Sequence, residues 1–441
     1  MSYSKDNLAW LGTIPDHWQV SKLRQVLSPF SEKNHPDMPL LSVVREKGVI
    51  IRNVESKEEN HNYVPDDLSN YKLVKQGQFT MNKMKAWQGS YGVSKYDGIV
   101  SPAYFVFNFK CDINRDFFNA AIRSKAYVSY FGQASDGIRV GQWDLSMARM
   151  KDIPFLVPPR EEQDQIVRFL DWKVSSINKL INIKHKEISE LNESLNTKLR
   201  DVLLSVPNVK EVPLKRICSV PMTDGPHETP TFVDSGIPFV SAEASHDGRI
   251  HLDECRGFIT REQHEVYCQK VRPHKNDIFI VKSGSTTGKT VMVDFDEEFS
   301  IWSPLALVRC NNLAMPRYVF FYCTSVMFQK QVRDNWSFGT QPNIGMGVLE
   351  NLRLPLPEIE EQRAIVDTLD AYWSKVLQVK CNLKKQIEEF QSLKTRIIAD
   401  AVTGKIDVRS IEIPEYEFVD EDNDNVDENL EQGADEPPEE E

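Results

Sequence analysis

Apolar residues recur at every seventh position along two long stretches of this chain. They are Val174, Ile181, Ile188, Leu195 and Val202 in the first stretch, and Leu369, Val376, Leu383, Phe390 and Ile397 in the second. Heptads sustained this far, with charged flanks, predict two helices that share a coiled-coil seam. At about 1.5 Å per residue, some 40 residues make each helix roughly 60 Å long. Ahead of each helix lies a stretch of mixed periodicity. In the first, Ile99–Phe109 alternates as strand and Arg115–Tyr130 has helical spacing; in the second, Val271–Val281 and Ser300–Arg309 read as strands and Pro316–Val332 as helix. Strands and helices mixed without a regular βαβ alternation predict α+β domains.

The two halves repeat one text. Pro158, Glu161-Glu162-Gln163, Ile166-Val167 and Leu170-Asp171 return as Pro357, Glu360-Glu361-Gln362, Ile365-Val366 and Leu369-Asp370, always 199 residues later. Ser101-Pro102 answers Ser303-Pro304, Lys83 answers Lys282, and Gly89 answers Gly288. The predicted organisation is a globular domain at 1–158, a spacer helix at 159–206, a second domain at 207–356, a second helix at 357–406 and a tail at 407–441. Because the link Ser205–Lys210 is short, the expected packing is antiparallel, helix against helix. Two globular domains in a pseudo-two-fold arrangement would then sit at the two ends of the pair. A duplicated module of this kind suits a target with two similar parts, such as duplex DNA with two half-sites.

Composition narrows the class. The net charge of −12 comes from the tail: residues 412–441 hold 15 acids and no base, which leaves 53 basic against 50 acidic residues in the rest. Such a tail has too little apolar surface to fold, so disorder is the expectation. No run reaches the roughly 18 apolar residues of a membrane span, and the first residues lack a signal-peptide profile. Seven scattered cysteines form no C-x-x-C pair, and the nine histidines form no H-x-x-x-H or H-E-x-x-H pair. A reduced, cytoplasmic protein with no metal site is expected.

Several strings resemble a known family. Ile14-Pro15-Asp16-His17-Trp18 followed by Lys22-Leu23 resembles the opening of Type I restriction-modification specificity subunits, and so do both Pro-x-x-Glu-Glu-Gln strings. The ending from Ser392-Leu393-Lys394 to Ala401-Val402-Thr403-Gly404-Lys405-Ile406-Asp407-Val408-Arg409 fits the same family, so the likeness covers about residues 10 to 409. The resemblance implies a non-catalytic reader of double-stranded DNA, each domain recognising one half of a split asymmetric sequence. The helices would fix the gap and dock two methylase subunits, and motor-nuclease subunits would complete the assembly. No cofactor is then expected on this chain; S-adenosylmethionine, ATP and Mg2+ would belong to the partners.

Catalytic signatures fit that division of labour. The Asn/Asp-Pro-Pro-Tyr/Phe motif of adenine methylases does not occur. Ser283–Thr290 imitates a phosphate loop, but Gly284 and Gly288 enclose three residues where a P-loop has four. Two other classes compete. One is a stand-alone metal-dependent nuclease using Asp37, Glu55 and Lys57; the other is a coiled-coil scaffold whose domains bind protein.

The DNA-contact candidates lie in Gly-rich polar loops, which combine backbone freedom with polar and aromatic groups. In the first domain they are Lys83, Lys85, Trp87, Gln88, Ser90, Tyr91, Arg139, Gln142 and Trp143. In the second they are Lys282, Ser285, Thr286, Thr287, Lys289, Trp336, Gln341 and Asn343. Basic side chains pair with guanine or phosphate, and Gln and Asn with adenine. For Trp87, Trp143 and Trp336 the competing role is that of a core or loop anchor.

Overall fold

A computed structural model describes residues 14–52, 65, 67–139, 142–338 and 341–420, the side chains of 136–139, 142 and 338 apart. The chain forms two compact units. One ends its first stretch at Ile183 and resumes at Gln386; the other holds Lys184–Lys385.

In the first unit, β1 (Leu27–Phe30), β2 (Phe79–Asn82), β3 (Tyr91–Val93) and β4 (Tyr104–Phe109) make an antiparallel sheet in the order β1–β4–β2–β3. Helices α1 (Arg115–Ile122) and α2 (Lys125–Gln133) cover it, and the hairpin β5 (Ser135–Arg139)–β6 (Gln142–Leu145) follows. Phe79, Phe107, Phe117, Phe118 and Tyr127 fill the core between them. A two-stranded sheet of Gln19–Lys22 against Pro154–Val157 brings the ends of the domain together, just before helix α3 (Arg160–Leu203).

The second unit repeats this plan. Strands β7 (Thr223–Asp224), β8 (Ile278–Val281), β9 (Thr290–Met292) and β10 (Leu305–Val308) pair in the order β7–β10–β8–β9. Helices α4 (Pro316–Thr324) and α5 (Val326–Asn335) and the hairpin β11 (Ser337–Phe338)–β12 (Pro342–Asn343) follow in the same places. Glu211–Pro213 against Arg353–Pro355 closes the domain ahead of helix α6 (Ile359–Val402). Both domains are thus α+β.

The heptads are helices, and the helices pair antiparallel within each unit. In the first, Ile166, Phe169 and Leu170 of α3 share a core with Ala401 and Val402 of α6, and Lys394 Nζ donates to Asn178 Oδ1 at 3.2 Å. In the second, Leu195, Leu199 and Leu203 pack with Ile365, Val366, Leu369, Trp373 and Val376, and the hydroxyls of Ser194 and Tyr372 lie 2.7 Å apart.

Several local expectations need correcting. The helix expected over 115–130 breaks at Ser124, and that over 316–332 at Ser325, because both serines are extended (ψ 152° in each) and serve as N-caps of the next helix. Over 271–281 only Ile278–Val281 is strand, and the strand expected over 99–109 divides at Ser101-Pro102. Residues 407–420, assigned to the tail from composition, are placed along α3. Gln165 Nε2 donates to the carbonyls of Val408 (3.2 Å) and Ile411 (2.8 Å), and Ser175 Oγ to that of Glu417 (2.9 Å). Asn178 and Asn182 donate to Val419 and Asp420. Apolar Val408, fully buried, and Ile411 and Ile413 supply the packing that charge counting overlooks. Residues 421–441 lie outside the described residues. No described helix is long and apolar enough to cross a membrane.

Candidate functional site

The repeated strings turn out to be joints. Gln163 and Gln362 are almost fully buried, and each fastens a long helix to its domain. Gln163 Nε2 donates to Pro158 O (2.8 Å) while its Oε1 accepts from the backbone N–H of Asn114 (2.8 Å), the N-cap of α1. Gln362 does the same with Pro357 O (2.9 Å) and the N–H of Met315 (2.8 Å), the N-cap of α4. A side-chain amide donates to one of these groups and accepts from the other, which the carboxylate of a glutamate of the same length does not. Sequence reading placed these strings at helix termini and missed the bridge; the identical Gln in both copies was the available signal.

The other two family strings converge in the first unit. Trp18 Nε1 donates to Glu162 Oε1 (3.1 Å), and His17 Nε2 lies 2.7 Å from Glu162 Oε2. Gly404 ends α6 with φ +78°, and a Cβ there would stand 2.5 Å from Pro15 Cδ. The start of the domain, the start of α3 and the end of α6 therefore meet at one indole.

With the domains anchored in this way, each presents one loop beside one hairpin. In the first domain the turn after β2 carries Lys83, exposed Lys85, Trp87 and Gln88, and Gly89 closes it with φ +97°. Leu145 N–H donates to Lys83 O (3.1 Å), Lys83 Nζ to Asp144 (3.0 Å), and the rings of Trp87 and Trp143 lie 5.2 Å apart. In the second domain Gly288 closes the loop with φ +95°, and Ile344 N–H donates to Lys282 O (2.8 Å), the same bond 199 residues later. Gly284 N–H and Thr287 Oγ1 add bonds to Pro342 O at 3.1 and 3.0 Å.

The candidates divide on this geometry. Lys85 is exposed and Lys83, Trp87 and Gln88 are half-buried; Trp143, in contact with Trp87, is 36% exposed, and Met84 in the same loop is exposed too. Ser285, Gln341 and Asn343 are exposed and Thr286 and Lys289 half-buried in the second domain's loop and hairpin. Arg139 and Gln142 lie on the β5–β6 hairpin, their side chains outside the description. Three candidates are misplaced. Ser90 is buried, and Tyr91 points into the core against Phe131 (4.5 Å), where burial pushes its hydroxyl far above the usual tyrosine range. Buried Thr287 pins the loop instead of facing outward. Trp336 is half-buried against the second core. The phosphate-loop likeness also fails: Thr290 opens strand β9, not a helix. Of the nuclease set, Glu55 and Lys57 lie outside the described residues.

Asp224 organises the base of the second loop, bonding Lys270 (2.6 Å) and Lys282 (3.0 Å). Burial alone would raise its carboxyl, but the two lysines outweigh this and hold it below the usual carboxylate range. A depressed folded value means stability that is present above pH 3.8 and fades as pH falls towards the folded value. Asp224→Asn should therefore lower the urea midpoint at pH 7, with the deficit shrinking at the lowest pH at which the chain stays folded. An equal deficit at both would contradict the ion-pair account.

Two copies of one α+β domain, each offering a loop and hairpin and each carried on a helix pair, define a duplicated binding protein. The family model of Type I restriction modification DNA specificity domains matches residues 15–193 and again 208–389, and the chain belongs to that family. The MjaVIII specificity subunit of Methanocaldococcus jannaschii is 25% identical over 278 residues, 59% of this chain and 64% of that one. The putative MjaX specificity subunit of the same organism is 21% identical over 435 residues, 91% and 96% of the two chains. A chain solved in work on complex assembly and conformational transition of the type I R-M system is similar in fold, with TM-score 0.59 at 17% identity, covering 89% of this chain and 100% of that one.

Proposed function

We propose that each domain reads one half of a split duplex-DNA sequence through its loop–hairpin face, and that the chain itself performs no catalysis. One observation carries this reading. The same backbone frame, Leu145 N to Lys83 O and Ile344 N to Lys282 O, occurs twice but bears different side chains. Tryptophans at 87 and 143 are answered by Thr286 and Pro342. A conserved frame with changed decoration is what two unlike half-sites require, since base edges are told apart by the groups that face them.

The paired helices would set the gap between the halves. Connecting two weak readouts makes the second contact intramolecular, so affinity rises without new contacts. The helices would also dock two methylase subunits, with motor-nuclease subunits completing the complex. S-adenosylmethionine, ATP and Mg2+ would be bound by those partners and not by this chain. The whole assembly would work in the cytoplasm.

Trp143→Ala tests the first face. With the methylase partners present, affinity for DNA carrying the intact first half-site should fall by roughly tenfold to a hundredfold, the scale of 1–3 kcal/mol for one base contact. Bases preferred in the second half should not change. Unaltered affinity with the fold intact would remove this face from the reading.

A further inference from the structure

We infer that the second domain holds a divalent-metal site, with zinc as the ligand its donors favour, formed by His246, His251 and Glu254. The site rests on a hairpin of Ser245–His246 and Arg249–Ile250. Its two-residue turn, Asp247-Gly248, has positive φ at both positions (49° and 78°), the geometry of a tight type I′ hairpin. His251 N–H bonds Ala244 O (2.9 Å), which extends the ladder by one step and puts the His251 and His246 rings on the same face. A single helical turn, Leu252–Glu254, then returns the Glu254 carboxylate to both rings.

The donors converge. One ligand atom from each of the three residues lies within 4.8 Å of the others. The imidazoles stack at 3.9 Å, and His246 Nε2 sits 2.8 Å from Glu254 Oε2. Among the described residues His251 Nε2 is buried with no hydrogen-bond partner. A buried ring nitrogen left in this way is costly, and a metal ion satisfies it where no protein group does. Two imidazoles and a carboxylate are a donor set that zinc takes readily, with water able to complete the tetrahedron. Ligand bonds of about 2.0–2.1 Å require the rings to tilt towards each other, giving up the His246–Glu254 bond.

The surroundings fit the same role. Asp247 Oδ2 lies 3.5 Å from His246 Nδ1, as an outer carboxylate does when it orients a ligating histidine. Lys384 of α6 holds that carboxylate at 3.3 Å. A Cβ on Gly248 would stand 2.8 Å from Phe320 and 2.9 Å from Trp373, so the turn is seated closely against α4 and α6. Metal binding here would brace the second domain against its own helix. A second cluster, His264, Glu265 and Glu298, differs in kind. Arg261 and Arg272 already bond Glu298, and Ser300 lies 2.9 Å from His264 Nδ1, so its charge and ring are met by protein.

The test uses the untagged full chain, stripped with a chelator and titrated with zinc against a chromogenic competitor. One zinc per chain should bind and raise the melting temperature. His251→Ala and Glu254→Gln should each abolish that binding, while Glu265→Gln in the other cluster should leave it intact. Failure to bind zinc, or unchanged binding in His251→Ala, would overturn the site. Should the variants not fold, diethyl pyrocarbonate labelling of the unmutated chain decides the matter. Zinc must protect His246 and His251 more than the other histidines, and equal labelling with and without zinc rejects the proposal.

Discussion

Exchanging residues 207–356 for the corresponding domain of a relative should change one half of the recognised sequence and leave the other half as it was. Each domain is equipped for such transfer. The first has a core centred on Phe79, Phe107 and Phe118; the second has its own around Ile278, Tyr318, Phe320 and Phe321. Each is closed at its ends by a two-stranded sheet, Gln19–Lys22 with Pro154–Val157 in one and Glu211–Pro213 with Arg353–Pro355 in the other. Cuts outside those strands keep each sheet with its covering helices, and the incoming domain must restore the packing of Phe320 and Phe321 against Trp373 of α6 and against Leu199 and Leu203 of α3. The expected effect is large, because each mismatched base pair costs about 1–3 kcal/mol and separate positions add. Two mismatched pairs alone should lower affinity for the original sequence roughly thirtyfold or more. Competition binding of the assembled complex would show it, and a chimera that changed both halves, or neither, would refute separate readout.

Trp18→Ala should be among the most damaging single substitutions in the chain. The indole is 6% exposed, lies over the Cα of Gly404 and donates to Glu162, itself only 7% exposed. Removing a buried tryptophan typically costs about 3–5 kcal/mol through lost burial and the cavity it leaves. Here a buried carboxylate would also lose a donor, which adds to the cost. For a unit of some 200 residues, the melting temperature should fall by roughly 10 °C. Trp18→Phe, which keeps most of the packing and loses the hydrogen bond, should fall by clearly less. A change under about 2 °C in Trp18→Ala would show that the joint of domain, α3 and α6 lies elsewhere.

The features legible in the sequence were those written with a period. Both long helices follow from the heptads, and the doubled domain follows from the 199-residue echo, down to the matching glycines at 89 and 288 with φ of 97° and 95°. Features that depend on tertiary direction were not legible. Ser90 and Tyr91 sit in a polar Gly-rich string, yet β3 pairs with β2 and the helices cover it, turning both inward. Ser124 and Ser325 break helices that periodicity would run on, because each offers an extended cap where the chain must turn. The acid count of the tail hid Val408, Ile411 and Ile413, three apolar residues that dock against the first core. The histidine cluster escaped for a similar reason. His246 and His251 are five apart, a spacing that means nothing on a helix and becomes a pair only across a hairpin. The Asp247-Gly248 turn between them was the available sign.

The central claim is that the two loop–hairpin faces read two separate blocks of one DNA target. Selection of bound duplexes from a random library by the chain, with the proposed methylase subunits added, tests this most directly. The account predicts two short specified blocks, different from each other, separated by unspecified base pairs of constant number. A single continuous specified block, or two blocks at freely varying distance, would contradict it.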